Sequence, residues 1–241
     1  MALNRIGLLG GMSWESSASY YRLLNRSVAE RAGGHSSAPV TLFSVDFAEI
    51  EELQRAGDWK TQGEILNRAA RALEASGVTA VALATNTLHL VADQITEGLT
   101  VPFLDLVDLV ADTVSASGYT KVGLLATGYT MGSDLYPKRL ADRGVEVIVP
   151  DADDRELVHS VIYAELVRGV VAPQSKADYL AVVERLVEDG AEAVILGCTE
   201  IGLLLRDGDA AVPLIDTTLL HCQALTDFIL DPRSGTKENQ P

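Results

Sequence analysis

The chain repeats itself. Residues 74–87 read EASGVTAVALATNT and residues 187–200 read VEDGAEAVILGCTE, and the two align without a gap at an offset of 113 residues (85 to 198). IGLLGG at residues 6–11 resembles VGLLAT at 122–127, offset 116 (6 to 122), and VPFLD at 101–105 resembles VPLID at 212–216, offset 111 (101 to 212). Three pairs at nearly one offset are too far apart for solenoid units and imply two similar lobes from one ancestral unit. Such lobes, related by a pseudo-twofold, make a cleft in which equivalent strand ends meet. The repeat pairs Thr85 with Cys198.

Within each lobe, short apolar runs alternate with helical patterns. Strands are predicted at 6–9, 41–45, 80–84, 121–126, 145–149 and 193–196, with weaker ones at 101–104 and 212–215. The runs are continuously apolar rather than alternating, as parallel strands buried on both faces require. Helices are predicted at 15–31, 59–76, 87–95, 105–117, 134–143, 153–167, 175–189, 199–205 and 217–230, several ending on Gly77, Gly118, Gly144 or Gly190. The expected fold is therefore α/β, with two pseudo-symmetric lobes, each a parallel sheet flanked by helices, and an active site in the interlobe cleft. The crossover points place residues 1–98 in the first lobe, completed by 213–241, and residues 99–212 in the second. Residues after about 231 read as a frayed tail.

Composition narrows the function. A chain of 241 residues that is 47% hydrophobic can build a real core. A net charge of −15 argues against nucleic acid and anionic membrane as partners, since both recruit basic surfaces. It does not argue against a small anionic substrate, because a few local cations can dominate a cleft. Two cysteines, Cys198 and Cys222, give no disulfide framework, and Cys222 reads as helix core. The N-terminal apolar run is too short for a signal peptide and no stretch approaches a membrane span. The expectation is a cytoplasmic protein.

Ligands of parallel α/β sheets bind beyond the carboxyl ends of the strands. Four predicted strand ends carry small or polar residues: Gly10-Gly11-Met12-Ser13, Thr85-Asn86-Thr87, Thr127 to Thr130, and Gly197-Cys198-Thr199-Glu200. Helices predicted to start at Thr87 and Thr199 would aim free N–H groups at one spot, which suits a small carboxylic acid. A helix start would also lower the pKa of Cys198 and favour a reactive thiolate, against the alternative of a buried packing cysteine. Thr85 alone reads as a helix cap, and only its equivalence to Cys198 raises it. Asn86 and Thr87 suit capping, carboxylate binding, or both. Glu200 suits a helix first turn or a substrate ammonium. His89 reads as packing or support rather than a base, and His35, His159 and His221 show no partner in sequence. Gln54 or Arg55, ending an acidic run, and Lys176, a cation at a helix start, are weaker candidates against a plain surface reading. GLLGG fits no nucleotide-binding fingerprint, and no Cys/His set has metal spacing.

IGLLGGMSW, ATNTLH and GCTEIGLLL resemble the aspartate/glutamate racemase superfamily, whose members need no cofactor, and the resemblance runs through nearly the whole chain. The family carries one cysteine per lobe, the two acting on opposite faces of the substrate's α-carbon. Here the second is Cys198 and the first position holds Thr85, as in a smaller Thr/Cys subgroup resembling L-aspartate/glutamate-specific racemases. The resemblance implies a small dicarboxylic amino acid as substrate, with no cofactor and no metal. It gives substrate contacts to Met12, Ser13, Gln54, Asn86, Thr87, Thr127, Thr130, Thr199 and Glu200, and more loosely to Lys176. It also implies a homodimer. An alcohol cannot reach its anion at neutral pH without a strong base beside it, so one-directional preference is expected. Three rivals stand beside a racemase: a one-cysteine decarboxylase, a maleate-type cis–trans isomerase and a catalytically silent amino-acid binder.

Overall fold

The structure, a computed structural model, describes residues 3–231. It divides into two compact units. Among the described residues the first comprises 3–84, Val91–Asp105 and 221–231; the second comprises Thr85–Leu90 and Leu106–Leu220. The sequence repeat predicts cuts at 98/99 and 212/213. The short segment Thr85–Leu90, which the linear reading left with the first lobe, counts with the second.

The first unit contains β1 (Ile6–Gly10), α1 (Trp14–Ala32), β2 (Val40–Ser44), α2 (Phe47–Ala56), α3 (Trp59–Ala75), β3 (Ala80–Leu83), α4 (Ala92–Thr96) and β4 (Phe103–Leu104). The second contains α5 (Leu106–Ala116), β5 (Lys121–Ala126), α6 (Gly128–Met131), α7 (Leu135–Ala141), β6 (Glu146–Ile148), α8 (Ala152–Ala164), α9 (Pro173–Glu188), β7 (Val194–Gly197), α10 (Ile201–Leu204) and β8 (Leu214–Asp216). A last helix, α11 (Thr217–Leu230), begins in the second unit and continues in the first.

The two sheets have one topology. Their strand orders are β2-β1-β3-β4 and β6-β5-β7-β8, every pairing parallel. All eight predicted strands are present, and the repeat seen in the sequence maps β1 onto β5 and β3 onto β7. Gly77 and Gly190, 113 residues apart, both take positive φ (+83° and +96°) just before β3 and β7. A side chain is disfavoured there, so glycine ends the helix and turns the chain into the strand.

Each unit has its own core. In the first, β1 and β3 are wholly buried beneath Tyr20, Leu24 and Val28 of α1 and Leu225 and Ile229 of α11. Cys222 lies in this core, as the sequence suggested. His221 is also structural: its Nδ1 lies 2.9 Å from the Tyr20 hydroxyl and its Nε2 3.0 Å from the Leu104 carbonyl, so Nε2–H donates and Nδ1 accepts. In the second unit, β5 and β7 pack against Val110 and Val114 of α5, Tyr136 of α7, Ile162 of α8 and Tyr179 and Val183 of α9. No helix among the described residues is long and apolar enough to cross a membrane.

Two helices were missed. The α2 helix has a legible signal, with Asp46 accepting from Ala48 N–H, Glu49 in the first turn and Gly57 left-handed at its end. The α6 helix is a single turn capped by Thr127. Two predicted helix starts also differ. Thr87–Val91 is a 3-10 helix that precedes α4, and α10 begins at Ile201 rather than Thr199. The Glu200 side chain makes no cap bond to that helix. Its carboxylate accepts from Thr199 and Cys198 instead.

Candidate functional site

In a sheet ordered 2-1-3-4, the chain departs in opposite directions from the two central strands, and the crevice beyond their carboxyl ends is where ligands sit. In the second unit those strands are β5 and β7. Thr127 to Thr130 follow the first and Cys198 to Glu200 follow the second.

Three hydroxyls close a triangle after β5. Thr87 Oγ1 lies 3.0 Å from both Thr127 Oγ1 and Thr130 Oγ1, and the latter two are 3.2 Å apart. All three residues are buried. A hydroxyl donates one proton and accepts through two lone pairs, so the set can turn its protons toward an anion without rebuilding the backbone.

The Thr85–Leu90 segment is fastened by its own side chains. His89 Nε2 accepts the Leu106 N–H at 3.2 Å, which leaves the ring proton on Nδ1, donated to the Thr85 carbonyl at 2.8 Å. Both nitrogens are thus engaged, in keeping with a supporting residue rather than a base. Asn86 Oδ1 accepts from the Tyr136 hydroxyl at 2.5 Å, and its Nδ2 donates to Thr217 Oγ1 at 3.2 Å. Thr217 in turn donates to the Leu196 carbonyl at 2.8 Å. This buried chain runs from the residue after Thr85 to the strand carrying Cys198, two residues before it. Tyr136 and Thr217 escaped the sequence reading, since each looks like an ordinary helix residue there.

Cys198 and Thr85 are each 8% exposed, mostly enclosed but not sealed. The Cys198 thiol donates to Glu200 Oε2 at 3.0 Å, and the Thr199 hydroxyl donates to the same oxygen at 2.7 Å. The expected depression of the thiol pKa is reversed. Burial pushes it well above the usual thiol value, and the Glu200 carboxylate pushes the same way by its charge and by holding the thiol proton. The Glu200 and Ile201 amides pull it down, as a helix start should, but they are the smaller effect. A four-residue helix has little dipole to offer.

Lys176 is held by Asp209 at 2.7 Å, so the carboxylate its position called for is supplied by the chain itself. Arg55 is an exposed residue paired with Glu51. In the first unit, Met12, Ser13 and Gln54 are buried. Ser13 caps α1 by accepting from the Ser16 N–H at 3.3 Å. Gly11 takes φ +96°, and a Cβ there would stand 2.2 Å from the Val45 carbonyl, so the glycine pair serves close backbone packing at the end of β1. Among the described residues no group of three or more His, Cys, Asp or Glu is placed to hold a metal.

The profile of the Asp/Glu/Hydantoin racemase family matches residues 9–225. The chain is 43% identical to a structurally determined candidate Asp/Glu racemase of Yersinia pestis, with 95% of this chain and 100% of that one covered and a TM-score of 0.87. It is 32% identical to an aspartate racemase homologue of Pyrococcus horikoshii, with 95% and 100% covered and a TM-score of 0.82. It is also 28% identical over 151 residues to the broad-specificity amino-acid racemase RacX of Bacillus subtilis. That match covers 61% of this chain and 63% of RacX, less than two thirds of RacX's length.

Proposed function

Because the chain belongs to the Asp/Glu/Hydantoin racemase family, we propose that it is a cofactor-independent racemase of a small acidic amino acid, L-aspartate or L-glutamate. In this reading Cys198 and Thr85 act on opposite faces of the α-carbon. The observation that carries it is the buried chain Tyr136–Asn86–Thr217–Leu196, which fastens the Thr85 segment to the strand bearing Cys198.

The chemistry follows from the two side chains. The resting thiol keeps its proton. Glu200, which already accepts a hydrogen bond from that proton at 3.0 Å, takes it as substrate binds, the substrate ammonium stabilises the thiolate so formed, and Glu200 returns the proton to water at the end of the turnover. The thiolate removes the Cα proton, and the C–H electron pair passes into the substrate carboxylate as an enediolate. Thr87, Thr127 and Thr130 donate hydroxyl protons to that developing charge. The Thr85 hydroxyl then protonates Cα from the other face and regains its proton from water. The reverse path asks Thr85 to take a proton from carbon as an alkoxide, which neutral pH denies it. The two enantiomers are equal in free energy, so racemisation is held back equally in both directions, and the asymmetry shows as Cα exchange that is faster on the Cys198 face than on the Thr85 face.

Asn86, Thr199 and, once its pair with Asp209 opens, Lys176 complete the set of proposed substrate contacts in the second unit. A homodimer in a cytoplasmic setting belongs to the same reading, and light scattering in solution tests the dimer. A protonated, buried thiol also suits a second reading, one-sided protonation of an enediolate left by decarboxylation. Each acid incubated in deuterium oxide without added cofactor separates the two. The racemase incorporates deuterium at Cα and releases no carbon dioxide.

A further inference from the structure

We propose that His159 is a positioning residue for the substrate carboxylate, acting through the single turn of α6. The proposal rests on the reading of Thr127 and Thr130 as carboxylate contacts. His159 lies on α8, and its Nδ1 accepts the Gly128 N–H at 3.1 Å. A backbone N–H only donates, so Nδ1 is unprotonated and the neutral ring carries its proton on Nε2.

Gly128 is the first residue of α6 and directly follows Thr127. Thr127 Oγ1 accepts the Thr130 N–H at 3.3 Å. The orphan amides at the start of this turn are thus shared between one imidazole and one hydroxyl. That hydroxyl is also a corner of the threonine triangle. The turn is held by a few short bonds of its own, from the Thr130 and Met131 N–H groups to the Thr127 carbonyl and from the Gly132 N–H to that of Gly128, and the imidazole on the Gly128 N–H adds an outside partner that fixes its orientation.

The ring itself is fixed. Tyr129 meets it edge-on with centroids 5.7 Å apart, and Tyr163 lies against it at 4.7 Å. A Cβ at position 128 would meet His159 Nδ1 at 3.4 Å, an ordinary contact, which shows how closely the imidazole lies against this stretch of backbone. His159, Arg155 and Glu156 line an open hollow of about 410 Å³ with Gly128, Tyr129 and Ala152. The imidazole therefore aims Thr127 and Thr130 without touching substrate.

The test compares His159→Leu, which has no acceptor, with His159→Asn, whose Oδ1 takes the place of Nδ1. For whichever acid the native protein exchanges, His159→Leu should raise KM about tenfold, the worth of one buried hydrogen bond, and change kcat little. His159→Asn should bring KM most of the way back, and the two variants should melt alike. An unchanged KM in His159→Leu, or equal impairment in both variants, overturns the proposal. Thr127→Val serves as the control on the underlying reading. If Thr127→Val leaves KM unaltered, or the native protein exchanges neither acid, that reading fails and takes this one with it. A normal Thr127→Val effect with a silent His159→Leu defeats this proposal alone. If His159→Leu does not fold, magnetic resonance of heavy-nitrogen-labelled histidine in the native protein decides. The proposal requires the His159 proton on Nε2, and a proton on Nδ1 overturns it.

Discussion

The Cys198 thiol and the Glu200 carboxylate share one proton across 3.0 Å, in surroundings that hold both side chains more than nine-tenths buried. The pair explains why a cysteine at a strand end is not simply a reactive thiolate. Burial and the neighbouring negative charge both favour the neutral thiol, and together they outweigh the amides that begin α10.

Replacing Glu200 by Gln removes the charge and keeps the shape. The part of the upward shift due to the carboxylate disappears while the part due to burial stays, so the thiol pKa falls. The rate of alkylation by iodoacetamide, followed against pH, should show its midpoint moving to lower pH. An unmoved or raised midpoint would remove Glu200 from the account of Cys198.

The same shift has a consequence for stability. A thiol whose pKa is raised on folding keeps its proton longer in the folded state than in the unfolded chain. The unfolded chain therefore binds fewer protons above about pH 8.5, and stability falls as pH rises from there toward the folded value. Below that range the contribution is fully present. Urea unfolding at neutral pH and at about pH 10 should show a steeper loss in the native protein than in Cys198→Ser. The difference between the two proteins cancels whatever Cys222 contributes. Equal slopes would contradict the shift.

Asn86 offers a test of the support behind Thr85. Tyr136→Phe removes the hydroxyl that Asn86 Oδ1 accepts from and leaves a buried carbonyl without that partner. The expected cost is about 1–3 kcal/mol of stability. Because Asn86 adjoins Thr85, a loss of exchange activity larger than the change in fraction folded should accompany it. A urea midpoint equal to the native one would show that the chain Tyr136–Asn86–Thr217 carries no strain of support.

Much of this was readable before the structure. The offset that pairs Gly77 with Gly190 and Thr85 with Cys198 carried the two identical sheet orders, because equivalent apolar runs must fill equivalent places in two cores. Continuous burial of β1, β3 and β7 follows from runs such as AVAL and VILG. What was not readable depends on contacts distant in sequence. Glu200 turns toward Cys198 and Thr199 rather than capping α10, so the helix starts late and the thiol pKa rises instead of falling. Tyr136 and His159 gain their roles from partners 50 and 31 residues away, which no local pattern announces. The α2 helix is different: Asp46, Glu49 and Gly57 mark it plainly, and the acidic run between them hid it.

Thr85→Cys should make the two enantiomers more nearly equal substrates. The native pair sets one thiol against one alcohol, whereas the variant supplies a thiol on each face of the α-carbon. Equal free energies of the enantiomers tie the two directions of turnover together, so the gain belongs in Cα exchange of the D-enantiomer relative to the L-enantiomer. Initial rates of Cα deuteration with both enantiomers of aspartate and glutamate measure it. A D-to-L ratio identical in native and variant proteins would exclude Thr85 as the asymmetric partner.

The most direct test of the central claim is α-deuteration in deuterium oxide, with no cofactor added, for each enantiomer of aspartate and glutamate. The account predicts that the native protein deuterates the L-enantiomer of at least one acid faster than the D-enantiomer. It also predicts that Cys198→Ser loses this exchange by about a thousandfold or more while remaining folded, because a serine hydroxyl does not ionise in this range. Exchange retained by Cys198→Ser, or native exchange equally fast for L and D, would contradict it.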